Sequence, residues 1–112
     1  MEAVELLRVL GNKYNAEILR ATNEPKSAQE LSDELEIPIA TSYRRIEELT
    51  EAELLELSGR EFSEEGRRTK VYRRNIDTLK VSFEERQIDV EAEDRPDEEN
   101  SLADVWRDLK AE

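Results

Sequence analysis

The residues most able to do chemistry in this chain are arginines, gathered in one pair and one longer run. Arg44 and Arg45 form the pair, and the run lies at residues 67–74. A guanidinium group bonds two phosphate oxygens together, and it pairs equally well with O6 and N7 of guanine. The sequence has no cysteine and no histidine, which removes thiolate and imidazole chemistry. We therefore expect non-covalent recognition, with no catalytic residue, no cofactor and no metal site.

Two short helices joined by a tight turn are predicted around the arginine pair. Ser27 and Glu30 have the spacing of a capping box, which begins a helix at 28–35. Pro38 suits the first turn of a second helix at 38–52, because a missing N–H costs nothing there. The arginine pair lies within this second helix.

A hairpin pattern follows the two helices. Strands are predicted at 54–62 and 69–75, with a polar tip between them. Helix, turn, helix and hairpin is the order of a winged helix-turn-helix, which lays its second helix in the DNA major groove. Upstream, apolar spacing predicts a helix at 3–10 and another from Asn12 to about Thr22, with Asn12 as its N-cap.

These segments resemble the ArsR-type winged helix-turn-helix regulators, of the kind found in halophilic archaea. The resemblance covers about residues 5–75 and is carried by the segments 7–12, 16–20, 28–32, 37–49 and 54–56. It implies an α+β fold and a homodimeric transcriptional regulator that binds double-stranded DNA sequence-specifically. Glu53 stands where the family usually has glycine, so we expect the second helix to end without a left-handed residue.

Matching the second helix and the hairpin to the family pattern predicts a set of DNA-binding residues. Arg44 is the best candidate to read a base, while Ile39 is expected to pack rather than read. The basic arm of the hairpin, or wing, is expected on the DNA backbone or minor groove. The predicted DNA-binding residues are Ala40, Thr41, Tyr43, Arg44, Arg45, Arg67, Arg68, Lys70 and Arg73.

Pairing within the chain is the alternative for both clusters. On the second helix, Glu47 and Glu48 are close enough in sequence to neutralise the arginine pair. Across the hairpin, acidic residues at 61, 64 and 65 face the basic arm. Both alternatives stay open at the level of sequence.

The net charge of −12 opposes DNA binding, but the charge is unevenly distributed. Residues 67–80 carry six bases and one acid, whereas residues 81–112 carry 12 acids and four bases. Heavy acidity with 12 arginines against five lysines resembles proteins of salt-loving archaea. An acidic mesophilic protein with a basic protein partner is the other interpretation. The alternative function is thus an acidic winged-helix protein-interaction module that does not bind DNA.

The sequence past residue 75 predicts two further units after a DNA-binding domain at 1–75. Alternating apolar residues predict a β-hairpin extension at 76–94, and an acidic linker with a C-terminal helix follows at 95–112. The apolar stripe of this helix either forms a dimer or docks on its own chain. The predicted dimerisation residues are Leu6, Leu10, Leu102, Val105, Trp106 and Leu109.

The sequence also bears on localisation. It has no apolar run of about 18 residues, and no basic segment followed by an apolar one at its start. We expect no membrane association and a cytoplasmic protein.

Overall fold

A computed structural model describes residues 1–62 and 68–95. Four helices and five strands lie in this part of the chain, and both sheets are antiparallel. The mixed helix and strand composition agrees with the predicted class. In chain order the elements are α1 (Ala3–Gly11), α2 (Asn15–Ala21), β1 (Lys26–Ser27), α3 (Ala28–Leu35), α4 (Ile39–Glu51), β2 (Leu55–Phe62), β3 (Arg68–Arg74), β4 (Ile76–Glu84) and β5 (Gln87–Asp94).

The core lies between the helices and the start of each strand pair. Ile18 of α2, Leu31 of α3 and Leu49 of α4 are fully buried, and they pack with Leu55 and Ile76 of the strands. Each helix contributes one apolar stripe, as the 3.6-residue period of its sequence requires. The charged residues are left on the outer surfaces, including most of α4.

The capping box at the start of α3 is confirmed. The Glu30 N–H donates to Ser27 Oγ at 3.1 Å, and the Ser27 N–H donates to Glu30 Oε1 at 3.0 Å. Two backbone donors of the first turn are thereby satisfied by residues three apart in sequence. The helix begins at Ala28 and ends at Leu35, the range that the sequence predicted.

Helix α2 begins two residues later than the sequence predicted. Asn12 does not act as its N-cap; α2 starts at Asn15, and Tyr14 before it has a left-handed φ of 75°. The side-chain amides of Asn12 and Asn15 both donate to the Glu48 carboxylate on α4. Asn12 therefore bonds to Glu48, which is distant in sequence, instead of capping α2. The same carboxylate also accepts from Asn15.

The end of α4 also differs from the expectation. Glu53 has a φ of 60°, so the left-handed residue is present although it is not glycine. The Leu54 N–H donates to the Leu49 carbonyl and the Glu53 N–H to the Thr50 carbonyl, each at 3.0 Å. These two bonds form a Schellman motif, which satisfies carbonyls that the helix itself leaves unbonded. The motif stabilises the turn despite the glutamate side chain.

The first sheet has the strand order β1-β3-β2. Strand β3 is central, pairing with β1 at Ser27 and with β2 along its whole length. A register shift between Leu57 and Gly59 interrupts the β2–β3 pair. The second sheet consists of β4 and β5 alone, joined by a turn at Glu85 and Arg86.

Among the helices of the described residues, none is long and apolar enough to cross a membrane.

Candidate nucleic-acid interface

Helix α4 has one buried face and one exposed face. Ser42, Ile46 and Leu49 are buried, and the Ser42 hydroxyl donates to the Ala28 carbonyl of α3 at 2.8 Å. This bond and the apolar stripe fix the rotation of α4 about its axis. The first two turns of α4 consequently expose three residues to solvent: Ala40, Tyr43 and Arg44.

Arg44 is exposed and makes only a weak contact within its own helix. Its Nη2 donates to the Thr41 hydroxyl at 3.3 Å, which ties two of the predicted DNA-binding residues together. None of the carboxylates in residues 1–62 and 68–95 lies within 4.0 Å of its guanidinium nitrogens. The planar donor edge of Arg44 therefore remains available to a ligand.

Arg45 has a different environment from its neighbour. Its Nη1 lies 3.0 Å from Glu48 Oε2 in an ion pair that is half-buried on both sides. Its Nε atom is buried and has no hydrogen-bond partner among the described residues. Arg45 therefore matches the alternative of pairing within the chain, with a glutamate one turn further along its own helix.

The β2–β3 pair presents basic side chains at its outer end. Lys70 and Arg68 are exposed, and Lys70 stands directly opposite Arg60 of β2. Arg73 lies on the other face of β3, where its Nη2 is 3.0 Å from Glu56 Oε1. Arg67 is outside the described residues. Of the predicted hairpin cations, Arg68 and Lys70 thus share one face of β3. Arg73 lies on the opposite face and pairs with Glu56.

Tyr72 joins this basic face to α4, and sequence reasoning missed it. Burial raises the pKa of the Tyr72 phenol above its ordinary value, Tyr43 of α4 raises this pKa further, and Arg60 lowers it. Tyr43 and Arg60 thus change the pKa of the Tyr72 hydroxyl in opposite directions. Tyr72 shares the face of Lys70 by the strand period of two, and that spacing was the available signal for it and for Arg60.

Ile39, at the start of α4, was expected to pack, and that expectation is wrong. Its side chain is 38% exposed, in line with the 57% exposed Tyr43 one turn later. Two large apolar side chains therefore flank the exposed face that carries Arg44. Ser42, three residues further on, points inward instead.

Part of the chain matches a known protein family. A family described as a helix-turn-helix domain matches residues 10–58. This segment is therefore similar to a helix-turn-helix domain. The match runs from the end of α1 into β2, so it includes the α3–α4 pair and the exposed face of α4. It supports DNA binding and a regulatory role in general terms. A comparison with curated proteins finds no match.

Two of the predicted dimerisation residues lie on α1, within the described part of the chain. Leu6 and Leu10 are half-buried and pack against the core of their own chain. Two large apolar residues are exposed in this region: Met1, which precedes α1, and Val4, which lies within it. The other predicted dimerisation residues are outside the described part of the chain: Leu102, Val105, Trp106 and Leu109.

A metal site was not expected from the sequence. Within the described ranges, no three acidic side chains lie close enough to hold an ion together.

Proposed function

We propose that this protein is a sequence-specific regulator of transcription that binds double-stranded DNA through α4 and the β2–β3 pair. Helix α4 would lie in the major groove, and β2–β3 would serve as the wing of a winged helix-turn-helix, on the DNA backbone or minor groove. The observation that carries the proposal is the outward face of α4, where Arg44 is exposed and has no carboxylate partner among the described residues. The helix-turn-helix match at 10–58 supports the same interpretation.

The first turns of α4 suit the major groove. In helix-turn-helix proteins the N-terminal residues of the second helix contact base edges. Arg44 offers a fork that fits guanine O6 and N7, while Tyr43 and Ile39 offer apolar surface that fits a thymine methyl. Ala40 between them leaves room for a close approach of the DNA backbone.

The wing would add phosphate contacts next to the helix. Arg60, Arg68 and Lys70 lie on the β2–β3 pair, and Tyr43 acts on the same Tyr72 phenol as Arg60. Tyr72 is thus near both Arg60 of the basic face and the exposed Tyr43 of α4. Arg45 and Arg73 stabilise the fold through their glutamate partners and contribute less to DNA contact than the sequence predicted.

The homodimer stays a prediction. A two-fold dimer would place two α4 helices about 34 Å apart, on successive turns of one DNA face. Leu6 and Leu10 are half-buried within their own chain, so a dimer through α1 would need Met1 and Val4 as well. Light scattering of the full chain at micromolar concentration measures this directly.

Replacing Arg44 with alanine tests the proposal. After selection of a preferred duplex from random DNA, we expect Arg44→Ala to weaken binding to it by about 1–3 kcal/mol and binding to unrelated DNA much less. Arg44→Lys keeps the charge but loses the fork, so it should retain unspecific affinity and lose discrimination. Fluorescence anisotropy with both duplexes measures the two affinities.

Arg20→Ala is the matched control, since Arg20 is an exposed arginine on α2. It should leave both affinities unchanged. If no preferred duplex emerges, or if Arg44→Ala binds it as tightly as the original chain does, the protein-interaction alternative takes precedence.

A further inference from the structure

The β4–β5 pair has one continuous apolar face. The register places Leu79 opposite Ala92, Val81 opposite Val90 and Phe83 opposite Ile88. Directly paired residues share a face of the sheet, and so do residues two apart along a strand. All six apolar side chains thus lie on the same side, with charged and polar residues on the other.

The two ends of this face differ in exposure. At the inner end Leu79 packs against the core. At the outer end Val81 is 37% exposed and Phe83 is 72% exposed. A row of apolar pairs that ends in an exposed phenylalanine is incomplete as a packed surface.

A cleft opens next to the inner end of the face. It has a volume of about 500 Å³, and its apolar lining comes from Met1, Leu6, Leu54, Ile76, Val90 and Ala92. Val90 and Ala92 belong to both the cleft and the apolar face. Because they share these two residues, the cleft and the apolar face together are called the groove.

The chain itself supplies a segment that fits this groove. Strand β5 ends at Asp94 in the lining of the cleft, and the Arg95 N–H donates to the Asn75 carbonyl at 3.0 Å. Residues 96–112 follow, outside the described part of the chain. Their sequence has apolar residues at i, i+3, i+4 and i+7, the spacing of one helix face. These residues are Leu102, Val105, Trp106 and Leu109.

The lengths agree. From residue 102 to residue 109 a helix rises about 10 Å, and from Leu79 to Phe83 a strand extends about 13 Å. The five residues at 96–100 span up to about 17 Å, which is enough to turn back from the end of β5.

The area of the face favours a tethered segment over a second copy. Two strands of this length present about 200 Å², whereas a stable protein–protein interface buries about 800 Å² on each partner. A segment joined to the chain by a short linker needs less area, because its effective concentration is in the millimolar range.

We propose that residues 101–112 dock as a helix on the apolar face of β4–β5 in their own chain, with Trp106 at the cleft. The docked segment covers Val81 and Phe83 and completes the second sheet as a packed layer. The C-terminal residues are then engaged within one chain instead of forming a dimer contact. This proposal does not depend on DNA binding.

Trp106 is the only tryptophan of the chain, so its fluorescence reports on this contact alone. In the full chain we expect blue-shifted emission and slow quenching by acrylamide, both independent of protein concentration. Phe83→Ser should lower the docking equilibrium about tenfold or more and shift the emission toward that of an exposed indole. Lys80→Ser changes an exposed residue on the opposite face of β4, and it should leave the emission unchanged.

Three results would overturn the proposal. Trp106 emission typical of an exposed indole in the original chain would mean that the segment is not docked. Blue-shifted emission that Phe83→Ser leaves unchanged would place Trp106 elsewhere. Emission that depends on protein concentration would make a second copy the occupant. Circular dichroism of both variants shows whether the fold is kept.

Discussion

Three arginines that look alike in the sequence make different contacts in the structure. Arg44 is exposed with a single weak bond to Thr41, whereas Arg45 and Arg73 each lie 3.0 Å from a glutamate oxygen. Exposed ion pairs contribute little to stability, but these two are partly buried and carry correspondingly more. Of these three arginines, only Arg44 therefore has no carboxylate partner among the described residues.

Two glutamates occupy left-handed positions at helix ends, where glycine is usual. Glu36 after α3 has a φ of 55° and Glu53 after α4 has a φ of 60°. A side chain with a Cβ atom is strained in this region by roughly 1–2 kcal/mol. The hydrogen bonds of the two turns offset this strain, since each turn joins a helix to the next buried residue.

Replacement of Glu53 by glycine should accordingly stabilise the protein. We expect Glu53→Gly to raise the free energy of unfolding by about 1 kcal/mol, because the strain is removed at some cost in chain entropy. Urea denaturation followed by circular dichroism measures it. Glu51→Gly makes the same change at the last helical residue and should lower the free energy by about 0.5 kcal/mol. If both variants raised the free energy of unfolding, or both lowered it, strain at the left-handed Glu53 would be contradicted.

The start of α2 and the helix α4 are joined through Glu48. Its carboxylate accepts from the Asn12 and Asn15 amides and pairs with Arg45, and Asn15 also donates to the Val9 carbonyl at 2.6 Å. Asn15 is completely buried. The Glu48 side chain thus connects α4 with the end of α1 and the start of α2.

Loss of Glu48 should destabilise the fold strongly for a single polar residue. Glu48→Ala leaves one of the two N–H donors of the buried Asn15 amide without its acceptor, so we expect the free energy of unfolding to fall by about 2–3 kcal/mol. Glu47→Ala removes an exposed neighbour and should stay within about 0.5 kcal/mol of the original. Thermal unfolding of the two variants provides the comparison, and similar midpoints would show that the Glu48 contacts are not structural.

The β4–β5 pair shows how the conformation of a turn is fixed by the strands on either side of it. The predicted apolar residues of the two strands face one another in register, across a two-residue turn in which Glu85 has a φ of 54°. The sequence had no glycine or asparagine to indicate this turn. A glutamate takes the left-handed position because the apolar pairs on both sides fix the register.

The charge of the whole molecule limits how it could bind a polyanion. Four cations near the proposed interface have no ion-pair partner within residues 1–62 and 68–95: Arg44, Arg60, Arg68 and Lys70. The chain as a whole carries a net charge of −12. Affinity that relied on many phosphate contacts would be opposed by the remaining surface.

The affinity should therefore fall less steeply with salt than that of a protein with many phosphate contacts. Each neutralised phosphate contributes about −0.9 to the slope of log affinity against log salt, so four contacts give about −4. We expect a slope no steeper than about −5 even if Arg67 joins them. Anisotropy titrations from low to molar KCl measure the slope. A value near −8 would show that further cations are engaged and would contradict the proposed interface.

The sequence by itself determined the features that depend on near neighbours. The capping box joins residues three apart, and the helical and strand periods fix the buried stripe of α4 and the paired apolar residues of β4 and β5. These patterns are local, so they can be read from the sequence alone.

Only the tertiary structure decided which polar groups are already satisfied. The amides of Asn12 and Asn15 find an acceptor 36 and 33 residues away, and Arg73 finds Glu56 across a strand pair 17 residues away. Left-handed Glu53 likewise depends on bonds to Asn75, whose Nδ2 donates to the Glu53 carbonyl at 3.2 Å. The packing of the elements determines these partners, since a hydrogen bond forms with whichever acceptor the fold brings within about 3 Å.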